Sequence, residues 1–306
     1  MNGPDAFAAA LGSLPQDWFA VIDGGPFDDL PLLLASYGLS GRALYLEGGR
    51  PEIRDAAGYL VPLLNAEQWQ AAQALAAGRP ALVVWSWQDG IDALYRHLRT
   101  LNLVQIPNEA RAEAQARGEE IDPEEYPAYE SVLFRHWDPN VLGSLLPLLT
   151  PEQQARFFGR AAGVVFEAPD HGGLHRIAKP PALPPPAPGM LRFSAEQMGG
   201  LRDQQQSVMA QRVSVYLRDN MPAGIVLTDT ELQAFAAQSV QQSTAMGMEA
   251  EGAHCRWAYL QLISNGRILE AEGVAELFAR RDASVSADER VAMLMRGMIG
   301  ALRRAD

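Results

Sequence analysis

One proline-rich segment constrains the fold of this chain more than any other feature. Residues 180–189 read Pro-Pro-Ala-Leu-Pro-Pro-Pro-Ala-Pro-Gly. Because proline lacks an amide hydrogen and fixes its own backbone angle, such a run cannot lie inside a helix or a central strand and favours extended geometry. We therefore predict a linker over residues 171–192, between a first domain of residues 1–170 and a second of residues 193–306. Docking of a proline-binding domain is the alternative interpretation.

Apolar runs and helical patterns alternate before this linker. Runs rich in apolar residues, which predict strands, lie at residues 18–22, 42–46, 80–85, 101–106 and 163–167. Segments with apolar residues three or four apart, which predict helices, lie at residues 27–37, 65–77 and 91–98. Strands that are apolar throughout are typical of a sheet with helices on both faces. The first domain is therefore predicted to be an α/β lobe with a mixed or mostly parallel sheet flanked by helices.

After the linker the pattern is helical. A capping box pairs a Ser or Thr with a Glu or Gln three residues later, and together they satisfy free backbone amides at a helix start. Three such pairs occur, namely Ser194 with Gln197, Thr228 with Glu231, and Ser286 with Glu289. An apolar stripe at helical spacing runs through residues 291–302. We therefore predict an all-α second lobe.

Charge is distributed unequally along the chain. Residues 1–170 carry 23 acidic and 11 basic side chains, whereas residues 171–306 carry 14 of each, so the net charge of −12 belongs to the first part. Residues 108–129 hold seven of the acidic side chains and few apolar ones, which predicts a solvated loop or a frayed helix. Nucleic acid is excluded as an expected partner, because phosphate binding requires clustered cations. The acidity serves either solubility or the binding of a basic partner.

Three features bear on where the protein works. No apolar run approaches the roughly 18 residues of a membrane-spanning helix, so we expect no membrane span. Residues 1–15 lack the basic flank of a signal peptide. The single cysteine, Cys255, excludes an internal disulfide and fits a reducing compartment, where we expect it to be a small buried side chain. Together these features predict a cytoplasmic protein.

The sequence lacks the familiar motifs for metal or nucleotide chemistry. His171 and His175 have useful spacing, but no cysteine or carboxylate cluster completes a zinc set with them, and we expect a flexible polar loop there. No Gly-x-Ser-x-Gly elbow, phosphate loop or dinucleotide fingerprint occurs. We therefore expect no cofactor and no metal site.

Three polar residues leave an enzymatic alternative open. His97, His136 and Asp138 are possible acid–base partners for a hydrolase or transferase, although no nucleophile is linked to them by sequence. Asp138 also has a local explanation, because Asp followed directly by Pro is typical of a helix start. Thr150 is predicted to cap the next helix, since proline follows it directly and glutamine stands three residues later.

Four separated stretches, taken together, resemble one protein family. They are residues 19–23 (Phe-Ala-Val-Ile-Asp), 58–63 (Gly-Tyr-Leu-Val-Pro-Leu), 94–99 (Leu-Tyr-Arg-His-Leu-Arg) and 133–159, which has Phe-Arg-His-Trp-Asp-Pro near its start and Phe-Phe-Gly at its end. Over residues 17–168 the chain resembles the type VI secretion effector chaperones, also called adaptor proteins. The helical half resembles only the loosely similar helical tails of such proteins.

This resemblance implies a cytoplasmic loading factor that is not an enzyme and needs no cofactor. Such proteins bind a specific toxic effector and help mount it on the VgrG spike, so the expected partners are an effector and VgrG. Trp and Arg often dominate protein interfaces, and the predicted contact residues are Trp85, Trp87, Arg96, His97, Arg99, Arg135, His136 and Trp137. An assembly component that binds only its own copies is a further alternative, which the size of the isolated protein would distinguish.

Overall fold

The computed structural model of this protein describes residues 4–15, 17–45, 57–222, 224–279 and 285–305. Contacts divide the chain into two compact units, Met1–Leu201 and Arg202–Asp306, and each unit has its own apolar cores. The predicted linker, residues 171–192, lies within the first of these units.

In the described part of the chain, all strands belong to the first unit. They are β1 (Trp18–Asp23), β2 (Arg42–Ala43), β3 (Gly58–Pro62), β4 (Leu82–Ser86), β5 (Leu103–Pro107), β6 (Tyr129–Leu133), β7 (Gly163–Ala168), β8 (Gly173–Ala178) and β9 (Leu191–Arg192). The helices of this unit are α1 (Pro4–Gly12), α2 (Leu30–Ser36), α3 (Ala66–Ala76), α4 (Ile91–Arg99), α5 (Glu109–Ala116), α6 (Pro139–Leu145) and α7 (Pro151–Phe158). Residue 46, at the end of the predicted second strand, lies outside the described residues.

The larger sheet has six strands in the order β2-β3-β1-β4-β7-β8, and every adjacent pair is antiparallel. The expectation of a mostly parallel sheet is therefore wrong. Apolar strands alternating with helices indicate that both faces of the sheet are covered, and this covering does not depend on the direction of neighbouring strands. Direction depends on the end of the sheet to which each connection returns, which the local pattern does not encode.

A smaller sheet has three strands in the order β6-β5-β9. β5 and β6 are antiparallel, and the acidic segment that joins them contains α5. β9 lies parallel to β5, with Val104 opposite Leu191. The two sheets of the first unit together are mixed and mostly antiparallel.

Both faces of the larger sheet are buried, which explains why its strands are apolar throughout. Along β1, Phe19 and Val21 belong to one core, and Ala20 and Ile22 belong to the other. Helices α4, α6 and α7 supply residues to the first core, whereas α1, α2 and α3 supply the second. Each Leu, Ile, Val or Phe side chain buried in this way contributes roughly 1.5–3 kcal/mol.

The proline-rich residues 180–189 have neither helix nor strand structure. They connect β8, an edge strand of the larger sheet, to β9, an edge strand of the smaller one. The run therefore passes from one sheet to the other inside the first unit.

The second unit is helical. Helix α8 (Ala195–Asp219) passes from the first unit into the second, which then contains α9 (Asp229–Ala245), α10 (Glu251–Ile263), α11 (Val274–Ala279) and α12 (Ala287–Ala305). The predicted capping boxes form, because Thr228 accepts the amide of Glu231 and Ser286 accepts the amide of Glu289. Among the described residues, no helix combines the length and apolar character needed to cross a membrane.

Candidate functional site

The segment that joins β6 to α6 packs against the end of β1. The Nη2 atom of Arg135 donates to Oδ2 of Asp23 at 2.7 Å, and the same nitrogen lies 3.6 Å from Oδ2 of Asp138. Oδ1 of Asp23 accepts the amide of Gly25 at 3.1 Å. Arg135 thus ties the turn after β1 to the start of α6.

Asp23 is a buried carboxylate whose pKa is shifted in opposite directions by burial and by its hydrogen-bond partners. Its side chain is 2% exposed. Burial raises the pKa of Asp23, whereas the positive charge of Arg135 and the hydrogen bonds from Gly25 and Arg135 lower it, with burial the larger effect. Arg135 therefore compensates only part of the cost of placing this carboxylate in the interior.

His136 is buried in the core as a neutral ring. Its Nε2 atom lies 3.1 Å from Oδ1 of Asn102, and Nδ2 of Asn102 donates to the backbone oxygen of Leu44 at 2.9 Å. Because Oδ1 of Asn102 can only accept, Nε2 of His136 carries the proton. Burial, and to a lesser degree the nearby His97, lowers the pKa of His136 to about 3. The ring therefore stays uncharged at neutral pH.

Trp137 and Asp138 complete the segment. The Trp137 ring lies against Gly58, where a Cβ atom would approach Cγ of Trp137 to 2.6 Å, so any larger residue at this point of β3 would have to displace the ring. Oδ1 of Asp138 accepts the amides of Asn140 at 2.9 Å and Val141 at 3.4 Å and thereby caps α6.

His97 joins α4 to the end of α7. Its Nε2 atom lies 2.9 Å from the backbone oxygen of Phe157 and therefore donates to it, and its ring stacks on Trp87 with a centroid distance of 5.1 Å. Gly159 has a φ of 51°, and a Cβ atom there would lie 2.6 Å from Cε1 of His97. Burial lowers the pKa of His97, as do the positive charges of Arg156 and Lys179.

These contacts bring the four stretches that carry the family resemblance into one network. Asp23 comes from the first stretch, Gly58 from the second, His97 from the third, and Arg135 with its neighbours from the fourth. We call this network the motif junction, and it consists of Asp23, Gly58, His97, Asn102, Arg135, His136, Trp137 and Gly159. Asn102 is the member that lies outside all four stretches, and the sequence analysis missed it.

Comparison with known families bears on the same part of the chain. Residues 18–115 match the family model described as Domain of unknown function (DUF4123). No significant match was found among curated proteins or among solved structures. The DUF4123 match spans about a third of the chain and includes three of the four stretches, but not residues 133–159. The contacts of Arg135, His136 and Trp137 nevertheless fix that fourth stretch to residues inside the DUF4123 range.

The structure separates the predicted contact residues into three groups. Trp85, Trp87, His136 and Trp137 are buried, so a partner cannot touch them in this arrangement. Arg96 and Arg99 are exposed on α4, whereas His97 and Arg135 are partly buried. The buried members therefore support the fold, and the two exposed arginines remain open to a partner.

The residues of the enzymatic alternative do not form an open acid–base centre. His136 has no exposed surface, and Oδ1 of Asp138 is occupied by the amides that it caps. His97 donates to a backbone oxygen and is stacked on an indole ring. Each of the three side chains thus has a structural contact, and His136 is closed to a substrate in this arrangement.

His171 and His175 lie in different local structures. His175 lies in β8 with its ring stacked on Phe166 at a centroid distance of 5.1 Å, and His171 ends a short 3₁₀ turn, Pro169–His171. Within the described ranges, no group of three or more His, Cys, Asp or Glu side chains could hold a metal ion. The expected flexible loop is instead a turn and an edge strand.

Proposed function

We propose that this protein is a non-enzymatic cytoplasmic chaperone or adaptor that binds a type VI secretion effector and helps load it on the VgrG spike. The family resemblance over residues 17–168 and the DUF4123 match over residues 18–115 support the proposal from the sequence. The observation that carries it is the motif junction, in which side chains of the shared stretches are used to hold the first unit together.

This use of the residues in the four stretches favours a binding scaffold over an enzyme. In an active site, polar groups converge on a cleft where a substrate can reach them. In the motif junction, the polar groups converge on one another, with Arg135 paired to Asp23 and His136 to Asn102. A scaffold of this kind presents a surface, and the surface then determines which partner is bound.

The exposed side of α4 is the part of that surface that we assign to a partner. Arg96 and Arg99 are exposed there, and the guanidinium carbons of Arg42 and Arg99 lie 3.5 Å and 5.7 Å from the ring centre of Tyr95. Arg42 also pairs with Asp92 at 3.0 Å. We call Arg42, Arg96 and Arg99 the α4 basic patch. It is a local concentration of positive charge on an acidic part of the chain, which suits an acidic surface on the partner.

The test is a pull-down from the native cytoplasm with the full-length protein as bait. The expected result is recovery of a toxin-like protein, a spike component or both. Recovery of neither, from cells in which the secretion system is expressed, would contradict the proposed function.

A pair of variants tests the surface assignment separately. Reversing both charges with Arg96→Glu and Arg99→Glu should abolish or strongly reduce partner recovery, because like charges then face each other across the interface. The matched control is Arg176→Glu, since Arg176 is an exposed arginine on β8 away from α4. Loss of the partner in the control as well would show that the effect is one of net charge and not of the α4 basic patch.

A further inference from the structure

A cavity of about 410 Å³ opens beside the smaller sheet of the first unit. β5 contributes Gln105, the first and last turns of α7 contribute Glu152 and Arg156, and β9 with the segment that leads into it contributes Arg192 and Met190. The volume falls in the range of about 300–1,000 Å³ that small-ligand sites occupy. No residue of the motif junction or of the α4 basic patch lines this cavity.

Arg192 is held in a fixed orientation at the edge of the cavity. Its Nε atom donates to Oε1 of Gln105 at 2.9 Å, and its guanidinium carbon lies 4.5 Å from the ring centre of Tyr129. Its backbone oxygen accepts from Nε2 of Gln153 at 2.5 Å. An arginine that is already stacked and hydrogen-bonded loses little freedom when a ligand binds to its remaining donors.

Arg156 is the second cation, and part of it lacks an acceptor. Its Nε atom is buried and has no hydrogen-bond partner among the described residues. The ion pairs found in the described ranges include neither Arg156 nor Arg192. Glu152, the acidic residue of the lining, is exposed. This Nε atom has almost no accessible surface, so the terminal nitrogens of Arg156 are the donors that an anion in the cavity would reach.

We propose that this cavity binds a carboxylate attached to an apolar group. Two arginines and one glutamate give the lining a single net positive charge, which matches a monoanion. Pro188, Met190 and Leu191 supply an apolar wall for the rest of the ligand. A phosphate dianion would bring a second negative charge close to Glu152 and would leave the apolar wall without a contact. The inference does not depend on the proposed chaperone function.

The first experiment measures binding to the full-length protein by isothermal titration calorimetry. The probes are hexanoate, the peptide acetyl-Gly-Gly-Leu with a free carboxylate, the same peptide as its terminal amide, and inorganic phosphate. We expect the free-acid peptide or hexanoate to bind, and the amide to bind about tenfold more weakly or worse, because it lacks the charge for the two arginines. Tighter binding of the peptide identifies a peptide chain end as the source of the carboxylate, and tighter binding of hexanoate identifies a free organic acid.

The second experiment assigns the binding to the two arginines. Arg156→Gln and Arg192→Gln should each weaken carboxylate binding by about tenfold. Arg160→Gln is the control, because Arg160 is exposed, pairs with Asp89 and does not line the cavity. The inference is overturned if neither acid binds, if the amide binds as well as the acid, if phosphate binds more tightly, or if the control weakens binding equally. The acid–amide comparison on the wild-type protein does not depend on the folding of any variant.

Discussion

At two glycines of the motif junction, an aromatic ring occupies the space that a side chain would need. Gly58 allows the Trp137 ring to lie flat against β3, and Gly159 allows the His97 ring to lie against the end of α7. In both places a methyl group would lie within 2.6 Å of the ring. These contacts join residues far apart in the chain, so the sequence shows the glycines but not the reason for them.

Replacement of Gly58 by alanine should destabilise the first unit by about 1–3 kcal/mol, because the buried Trp137 ring must move to admit the methyl group. The measurement is the free energy of unfolding in urea, followed by tryptophan fluorescence. Gly199→Ala is the control, since a Cβ at Gly199 meets nothing within 4 Å, and there alanine should be neutral or stabilising by up to about 1 kcal/mol. Equal losses in both variants would contradict the packing explanation.

At the scale of single elements, the start of α6 depends on one carboxylate. Asp138→Ala removes the acceptor for the amides of Asn140 and Val141 and should cost about 1 kcal/mol of stability. Asp138→Asn keeps a capping side chain, so its loss of stability should be no more than a few tenths of that amount. Urea unfolding of the two variants checks this, and indistinguishable midpoints for Ala and Asn would show that the cap is not what Asp138 contributes.

Local signals explain which elements could be predicted from the sequence. Helix starts at Thr150, Thr228 and Ser286 follow from capping boxes, because a cap involves only residues within one turn of each other. The direction of the strands, the smaller sheet and the pairing of β9 with β5 could not be predicted, because they depend on contacts between distant segments. For the same reason, the caps of the candidate site were predictable, whereas Asn102 and the burial of Trp137 were not.

At the scale of the whole molecule, buried histidines make stability depend on pH. Burial lowers the pKa of His97 and His136 in the first unit and of His254 in the second, where Nδ1 of His254 lies 2.6 Å from the hydroxyl of Ser243. An unfolded histidine titrates near pH 6.5. Below that pH the unfolded chain binds more protons than the folded one, so folding becomes less favourable. Asp23 acts in the opposite sense, because its pKa is raised in the folded chain. The ordinary value from which it is raised is 3.8, well below the pKa of an unfolded histidine.

We therefore expect the free energy of unfolding to be highest above pH 6.5 and to fall as the pH is lowered from 7 to 5. Each buried histidine that stays neutral in the folded chain lowers the free energy of unfolding by up to about 1.4 kcal/mol for each pH unit below pH 6.5. His136→Leu should be less stable at every pH, since Asn102 loses its partner, but its stability should change less with pH. Urea unfolding at pH 7, 6 and 5 gives both slopes, and a wild-type stability that does not change over this range would contradict the expectation.

The proline-rich run between β8 and β9 has a consequence for chain connectivity. Both of its ends are anchored in sheets of the same unit, and beyond it the amide of Phe193 donates to the oxygen of Gln105 while the side chain of Gln197 donates to the oxygen of Leu148. A peptide bond broken within residues 180–189 would therefore leave two pieces that still share a β-sheet. The run is a connection inside the first unit, and the boundary between the two units lies after it.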